Sequence, residues 1–428
     1  MAAEIGFTSS GLEYSQMTPR HTVLSNGRYV RHLPKNTLNG SDTIVFDLDP
    51  VENPIHAQEC YIVGKVKITK SDATNLSAAD NVALSDNVVG TLFKTVNVTI
   101  NNTKITNSNV YQTFENYFAS RFGIGKNGLD IHVQQLQGLT GEAADKNDSK
   151  NAEATGWTIR KAWTAESKEF EFIGQIPNDF FRSCAQFIPP MQDITFEFKL
   201  NDADIVLTGT GDFKFKLTSL ELFTRQMNIP ANETMAIYKR QAVKPLNLNF
   251  TSLEIQSYTI SQRKQHEYIR GIFPHQSPHQ LFLVLIETDR INGVMAKDPF
   301  KFENGMVEKV VLRQNGTPLM LEAFETDFDN NDAKQAYYFV CQAFDVGHNS
   351  RDANLTYEQY LKGATMWAWT LSPDMDANNG VALLQRPGNY EADIYVKAGN
   401  SNPDLTALFI GKFGKTVQIG ANNNTIVV

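Results

Sequence analysis

The amino-acid sequence predicts an all-β protein of two domains, and three observations lead there. The chain has 428 residues, and single hydrophobic cores stop growing beyond roughly 250–300 residues. Apolar and polar residues alternate at period two along much of its length, the pattern of half-buried strands. Helical patterns are few and short, and strands in excess of helices point to a sandwich or a jelly roll.

From the start of the chain, residues 18–35 hold Arg20, Arg28, Arg31 and Lys35 and no acid. They precede the first clear strand pattern. Residues 1–36 are therefore expected to form an arm, either a solvated terminus or a basic element that meets nucleic acid or a neighbouring subunit. Strands follow where Val96, Val98 and Ile100 alternate with Asn97 and Thr99, where Phe170 and Phe172 alternate with Glu169 and Glu171, and where Phe196, Phe198 and Leu200 alternate with Glu197 and Lys199. After Phe213, Phe215 and Leu217 the apolar set jumps to Leu220 and Leu222. Such a slip reverses the buried face, so a bulge or a passage between two sheets is expected near Thr218-Ser219.

Helices are expected in three loops. Val110, Phe114, Tyr117 and Phe118 share one face after Ser108 and Asn109; Asn178 precedes Phe180 and Phe181; Thr356 and Gln359 form a capping box that Gly363 terminates. The long polar region 123–166, with Trp157 and Trp163, reads as an exposed ornamented loop on a β-domain. The chain divides near Asn228-Ile229-Pro230, where 231–240 fits one connector helix and 246–260 resumes strand character. The flanking blocks, about 190 residues each, have the size of all-β domains. No sequence identity joins them, so a duplication rests on pattern alone.

The second block opens with a distinctive segment, 279–319. Leu281, Leu283 and Leu285 alternate with Phe282, Val284 and Ile286, so this strand is buried on both faces. Asn292-Gly293 turns the chain, Lys297-Asp298-Pro299-Phe300-Lys301-Phe302 links it onward, and a strand over 307–312 ends at Asn315-Gly316, a hairpin signal. The two strands are expected to form an early hairpin bent at Asp298-Pro299-Phe300-Lys301-Phe302.

Composition narrows the function. Apolar residues are 41% and charged residues 20%, a normal globular balance. A formal charge of −8 speaks against a surface that binds nucleic acid as a whole. Cys60, Cys184 and Cys341 lie far apart in apolar contexts and are expected to be reduced and buried. The first residues show no secretory pattern, and nowhere do 18 apolar residues run together, so neither secretion nor a membrane span is expected.

No catalytic, cofactor or metal site is expected. Gly411-Lys412-Phe413-Gly414-Lys415-Thr416 lacks the first glycine of a phosphate loop, because Phe409 stands there. Gly123-x-Gly125-Lys126-x-Gly128 follows a helix rather than a strand. Pro274 and Pro278 forbid the helix that would align His275 with His279. The acidic runs 327–332 and 374–380 lack full calcium-loop spacing and read as polar turns.

The order strand, Asn-Gly, Asp-Pro-Phe-x-Phe, strand, Asn-Gly-x-Pro over 279–319 resembles the major capsid proteins of the Polinton/Maverick and adintovirus group. Three further blocks are similar to that family: Ile229-Pro230-Ala231 with Gln256-x-Tyr258-Thr259-Ile260, the run LTYEQYLKGATMWAWTLSPD over 355–374, and Leu383-Leu384-Gln385-Arg386-Pro387-Gly388-Asn389. Together they cover most of 223–428. Trp367 and Trp369 depart from the aliphatic and Tyr residues usual there, and Leu408-Phe409-Ile410-Gly411-Lys412 replaces an acidic final strand.

The resemblance implies a double jelly roll, two eight-stranded β-sandwiches with short helices in loops, divided into an N-terminal arm 1–36, a first jelly roll 37–228, a connector helix 229–240 and a second jelly roll 241–428. It implies a non-enzymatic major capsid protein whose homotrimeric, pseudo-hexagonal capsomers tile an icosahedral shell around double-stranded DNA in a virion assembled in the host cytoplasm or nucleus. Neighbouring capsomers and penton or minor capsid proteins would be its partners. Arg20, Arg28, Arg31 and Lys35 would face a neighbouring capsomer or the genome. A glycan-binding jelly roll that stacks sugars on the Trp157/Trp163 region stays open as an alternative, as do a minor structural virion protein and a jelly-roll enzyme.

Overall fold

Alternating side chains build four main antiparallel sheets, two in each half of the chain. In a computed structural model the described residues are 26–38, 42–106, 110–123, 134–140, 155–319, 322–344, 355–372, 388–399 and 402–428. The first half contributes β1 (Gly27–His32), β2 (Thr43–Leu48), β3 (Ile55–Lys70), β4 (Val82–Leu84), β5 (Phe93–Ile100), β6 (Thr103–Lys104), β7 (Phe170–Gln175), β8 (Phe187–Ile188), β9 (Ile194–Leu200), β10 (Leu207–Gly209) and β11 (Phe213–Met227). One sheet runs β1-β11-β3-β7 with β8 beside β3; the facing sheet runs β2-β9-β5-β6; β4 and β10 form a small pair.

The second half contributes β12 (Leu246–Ile260), β13 (His266–Ile272), β14 (Gln280–Glu287), β15 (Val307–Gln314), β16 (Thr317–Pro318), β17 (Phe324–Glu325), β18 (Met366–Thr370), β19 (Tyr390–Val396), β20 (Leu405–Ile419) and β21 (Thr425–Val427). Here the orders are β12-β20-β14-β18 and β13-β19-β15-β16. In each half the first strand pairs with the last long strand and the second strand heads the facing sheet. The duplication that the residues hide is therefore explicit in the topology: each half is a jelly roll. The main helices are α1 (Gln112–Gly123), α2 (Thr155–Trp163), α3 (Asp179–Ser183), α4 (Ala231–Val243), α5 (Lys334–Ala343) and α6 (Tyr357–Leu361), with other short helical segments, Thr288–Asn292 among them, between strands.

Local expectations fare unevenly. The slip in β11 is a bulge, a register shift between Leu217 and Ser219 against β3, and the strand stays in one sheet. The Asn178 side chain caps α3, and the Thr356–Gln359 capping box opens α6. β14 is buried on both faces, with Leu281 to Ile286 all at 0–1% exposure. The expected hairpin of β14 with β15 is not formed. β14 pairs with β18 and β20, whereas β15 pairs with β16, β17 and β19 in the opposite sheet. A strand buried on both faces belongs at a sheet centre, where two neighbours fill both hydrogen-bonding edges and leave none for β15.

In the described part of the Trp region a helix, α2, stands in place of the expected loop, and both Trp side chains find the packing partners they were expected to need, while Thr155, Thr158, Ile159, Ala162 and Glu166 are exposed. Trp157 lies in α2 at 7% exposure, and its indole N–H donates to the Thr208 carbonyl at 3.0 Å. Trp163 stacks on Phe170 at 5.0 Å. Of the basic segment, residues 27–32, expected within the arm, form β1 and pair along β11.

Candidate assembly site: the domain junction and the outer faces

The two jelly rolls share their interiors. α1 belongs by sequence to the first half, between β6 and β7, yet its aromatic face packs into the second. Tyr117 stacks flat on Phe300 at 4.0 Å, Phe118 meets Phe282 at 4.9 Å, and Phe122 stacks on Phe344 at 5.3 Å. Tyr111 and Ser257 hydroxyls bond at 2.7 Å. The polar side of the same helix faces the first half: Gln112 accepts the Val96 amide at 2.8 Å and Thr113 bonds the Asn201 side chain at 3.0 Å. A helix with neighbours on both sides is thus buried, with Gln112 and Thr113 hydrogen-bonded to the first half.

The exchange runs in the other direction too. The lower ends of β12 and β20 place Leu248, Phe250, Val417 and Ile419 in the core of the first half. Backbone amides of β12 bond α3 and its flank: Thr251 to Ser183 at 2.8 Å, Leu253 to Asp179 at 2.8 Å, Asn249 to Gln186 at 3.1 Å. At the base, Gln241 of α4 donates to the Gly420 carbonyl at 2.9 Å, and Thr103 donates to that of Thr425 at 2.9 Å.

Asp298-Pro299-Phe300-Lys301-Phe302 is the plug of this junction. Asp298 is 1% exposed and accepts the Phe300 amide at 2.9 Å, while Arg290 donates to its backbone carbonyl at 2.8 Å. Nearby, the fully buried Arg160 donates to the Leu84 carbonyl at 2.7 Å and to Thr140 at 2.8 Å, and lies 3.5 Å from Asp86. Burial pushes the Asp298 carboxyl up to about 6; Arg160, the Phe300 amide and Arg290 oppose that rise, and Asp86 adds to it. The sequence marked this segment as unusual but gave no sign of what it touches.

The predicted basic residues are not brought together as one free patch. Arg28 is exposed on β1. Arg31 donates to Glu221 on β11 at 2.8 Å through Nε, and Lys35 is paired with Asp47. Arg20 lies outside the described residues.

No group of metal-ligating side chains converges among the described residues. Gly411 to Thr416 lie within β20 rather than in a loop. Asp327 and Asp332 bridge through their backbones in a turn that Asn330 closes onto Asp327. Cys60 and Cys184 are buried and Cys341 is half-buried, all without disulfides; burial pushes the Cys60 thiol up to about 12. Residues 124–130 and 373–387, with the second glycine-rich and second acidic segments, lie outside the described residues. No helix among the described residues is long and apolar enough to cross a membrane.

No known family model matches the chain. An uncharacterized protein of Caenorhabditis elegans is 24% identical over 229 residues, which cover 51% of this chain and 53% of that relative, so the match spans about half its length. By structure the chain is similar to a chain of the Sputnik virophage, with TM-score 0.67, 13% identity and coverage of 98% of this chain and 91% of that one. It is also similar to the Faustovirus major capsid protein (TM-score 0.57, 10% identity, 95% and 92% covered) and the mavirus major capsid protein (0.56, 10%, 98% and 93%). The fold is the double jelly roll.

Proposed function

We propose that this chain is a major capsid protein whose homotrimers form pseudo-hexagonal capsomers tiling an icosahedral shell around double-stranded DNA. One observation carries the reading: two topologically equivalent jelly rolls are fused through a shared interior, and that arrangement matches viral capsid chains across nearly the whole length. Two similar wall units per chain give six around a threefold axis, and cyclic closure lets one kind of chain make every contact in the ring. The role is structural, its place the virion capsid, and its partners are neighbouring capsomers and vertex or minor capsid proteins. The arm of this reading shortens to the residues before Gly27, and Arg20 and the exposed Arg28 remain its candidates for a neighbour or the genome.

The test is the mass of the purified full chain by light scattering and native mass spectrometry, with electron microscopy of the particles. Trimers of roughly hexagonal outline are expected. A chain that stays monomeric at every concentration tried would remove the capsomer reading. The glycan-binding alternative loses its proposed platform, because Trp157 is buried and hydrogen-bonded and Trp163 is stacked on a phenylalanine.

A further inference from the structure

A groove of about 560 Å³ runs along the connector helix α4, between the two halves. Glu233, Ile237 and Arg240 recur at helical spacing, so one stripe of α4 forms a wall. Phe187 of β8 lines it from the first jelly roll, and Leu246 lines it from the start of β12. Ile237, Phe187, Leu246 and the neighbouring Ile229 are each only half-buried. A concave site of this volume with apolar walls has the size and character of a binding pocket, and its half-open side chains lose their contact with water only when something fills it.

The path of the chain indicates the occupant. Asn26 is the first described residue; its carbonyl accepts the Asn228 amide at 2.7 Å, and Ile229 of the groove follows directly. Residues 1–25 therefore join the molecule at the edge of the groove. The last eight of them, 18–25, span at most about 28 Å, and a tether this short holds what it carries at an effective concentration on the order of millimolar. Residues 1–17 carry Ile5, Phe7, Leu12 and Tyr14 with two acids, Glu4 and Glu13, and no Lys or Arg. The lining is complementary, with two cations, Arg240 and Lys244, against one acid, Glu233.

We propose that residues 1–17 occupy the α4 groove of their own chain, with Leu12 and Tyr14 against Ile237, Phe187 and Leu246 and with Glu13 beside Arg240. The tether selects the same chain over another copy, because a segment supplied from solution has no such local concentration. Arg20 lies in the span between the docked segment and β1. The contact straps the beginning of the chain across the connector between the two jelly rolls, and it holds whether or not the chain forms capsomers.

Cross-linking of the full chain tests this. In a Cys341→Ser background, Leu12→Cys with Ile237→Cys is treated with a short bismaleimide, and peptide mass spectrometry reads the link between the two positions. The yield should exceed at least tenfold that of Leu12→Cys with Val243→Cys, whose second site is 89% exposed on the same helix but outside the groove. Adding Glu13→Lys should lower the yield at least threefold, and adding Arg240→Glu to that variant should restore it. All variants should keep the wild-type circular dichroism spectrum, since each change lies in residues 1–17 or at a side chain that is half-buried or exposed. Equal yields at positions 237 and 243, or a charge exchange that restores nothing, overturn the proposal. A covalent dimer from a mixture of Leu12→Cys chains with Ile237→Cys chains overturns the choice of the same chain and assigns the groove to a second copy. None of these results depends on whether trimers form, so the capsomer reading stands or falls by its own measurement.

Discussion

Asp298 sets a pH dependence with a definite sign. Its carboxyl titrates near 6 in the native chain, against an ordinary 3.8, so the native state holds that proton more tightly than the unfolded state. Stability from this group is therefore full below about pH 4 and lost as pH rises through about 6. Asp298→Asn should raise stability at neutral pH by about 1–3 kcal/mol and flatten the pH profile between about 4 and 6 relative to wild type, read as the difference between two sets of denaturant titrations. Equal slopes in the two proteins would remove Asp298 from the account. A second residue tests close packing: a Cβ on Gly64 would stand 2.4 Å from the Phe172 ring and 2.9 Å from the Ser219 carbonyl. Gly64→Ala should cost about 1–3 kcal/mol through forced displacement of β7 or of the β11 bulge, measurable by thermal denaturation.

At the scale of elements, α1 is the piece that couples the two halves. Replacing Tyr117 or Phe118 with Ala should cost about 3–5 kcal/mol each. The double variant should turn one cooperative calorimetric transition into two, because the second sheet loses its cover; a single sharp transition would show that the β12 and β20 ends alone suffice. Much of this level was legible in the residues. Strands over 96–100, 170–172 and 196–200, the bulge at 218–219, the Asn178 cap and the Thr356–Gln359 box all follow from local rules that act within a few residues. What did not follow was partnership. An unbroken apolar run says that β14 is buried on both sides but not which strands flank it, so sequence proximity points to β15 as its hairpin mate although β15 lies in the facing sheet. The aromatic spacing of α1 foretold a helix, and nothing in that spacing tells whose core it enters. The same gap hid the partner of Trp157: an indole amid polar sequence needs something to pack against, but nothing local points to the strand β10 that accepts its hydrogen bond.

For the whole molecule, assembly and folding make separate demands. Deleting residues 1–25 should leave trimers intact and lower the yield of larger particles if that segment reaches a neighbouring capsomer; undiminished shells by electron microscopy would end that role. The crossing of β12 and β20 into the first half has a further consequence, for the order of events during synthesis. The first jelly roll cannot complete its interior when β11 leaves the ribosome, because Val417 and Ile419 have not yet been made. It must wait as a partly open sandwich, with α1 presenting rings that as yet have nothing to cover, and this is the state in which exposed apolar surface invites misassembly. Neither half should be autonomous: residues 1–243 produced alone should be recovered mainly as aggregate, and co-production with 244–428 should restore soluble protein. The interlock that joins the two sandwiches thus also makes the synthesis of β20, rather than the emergence of the first jelly roll, the step after which both interiors can close.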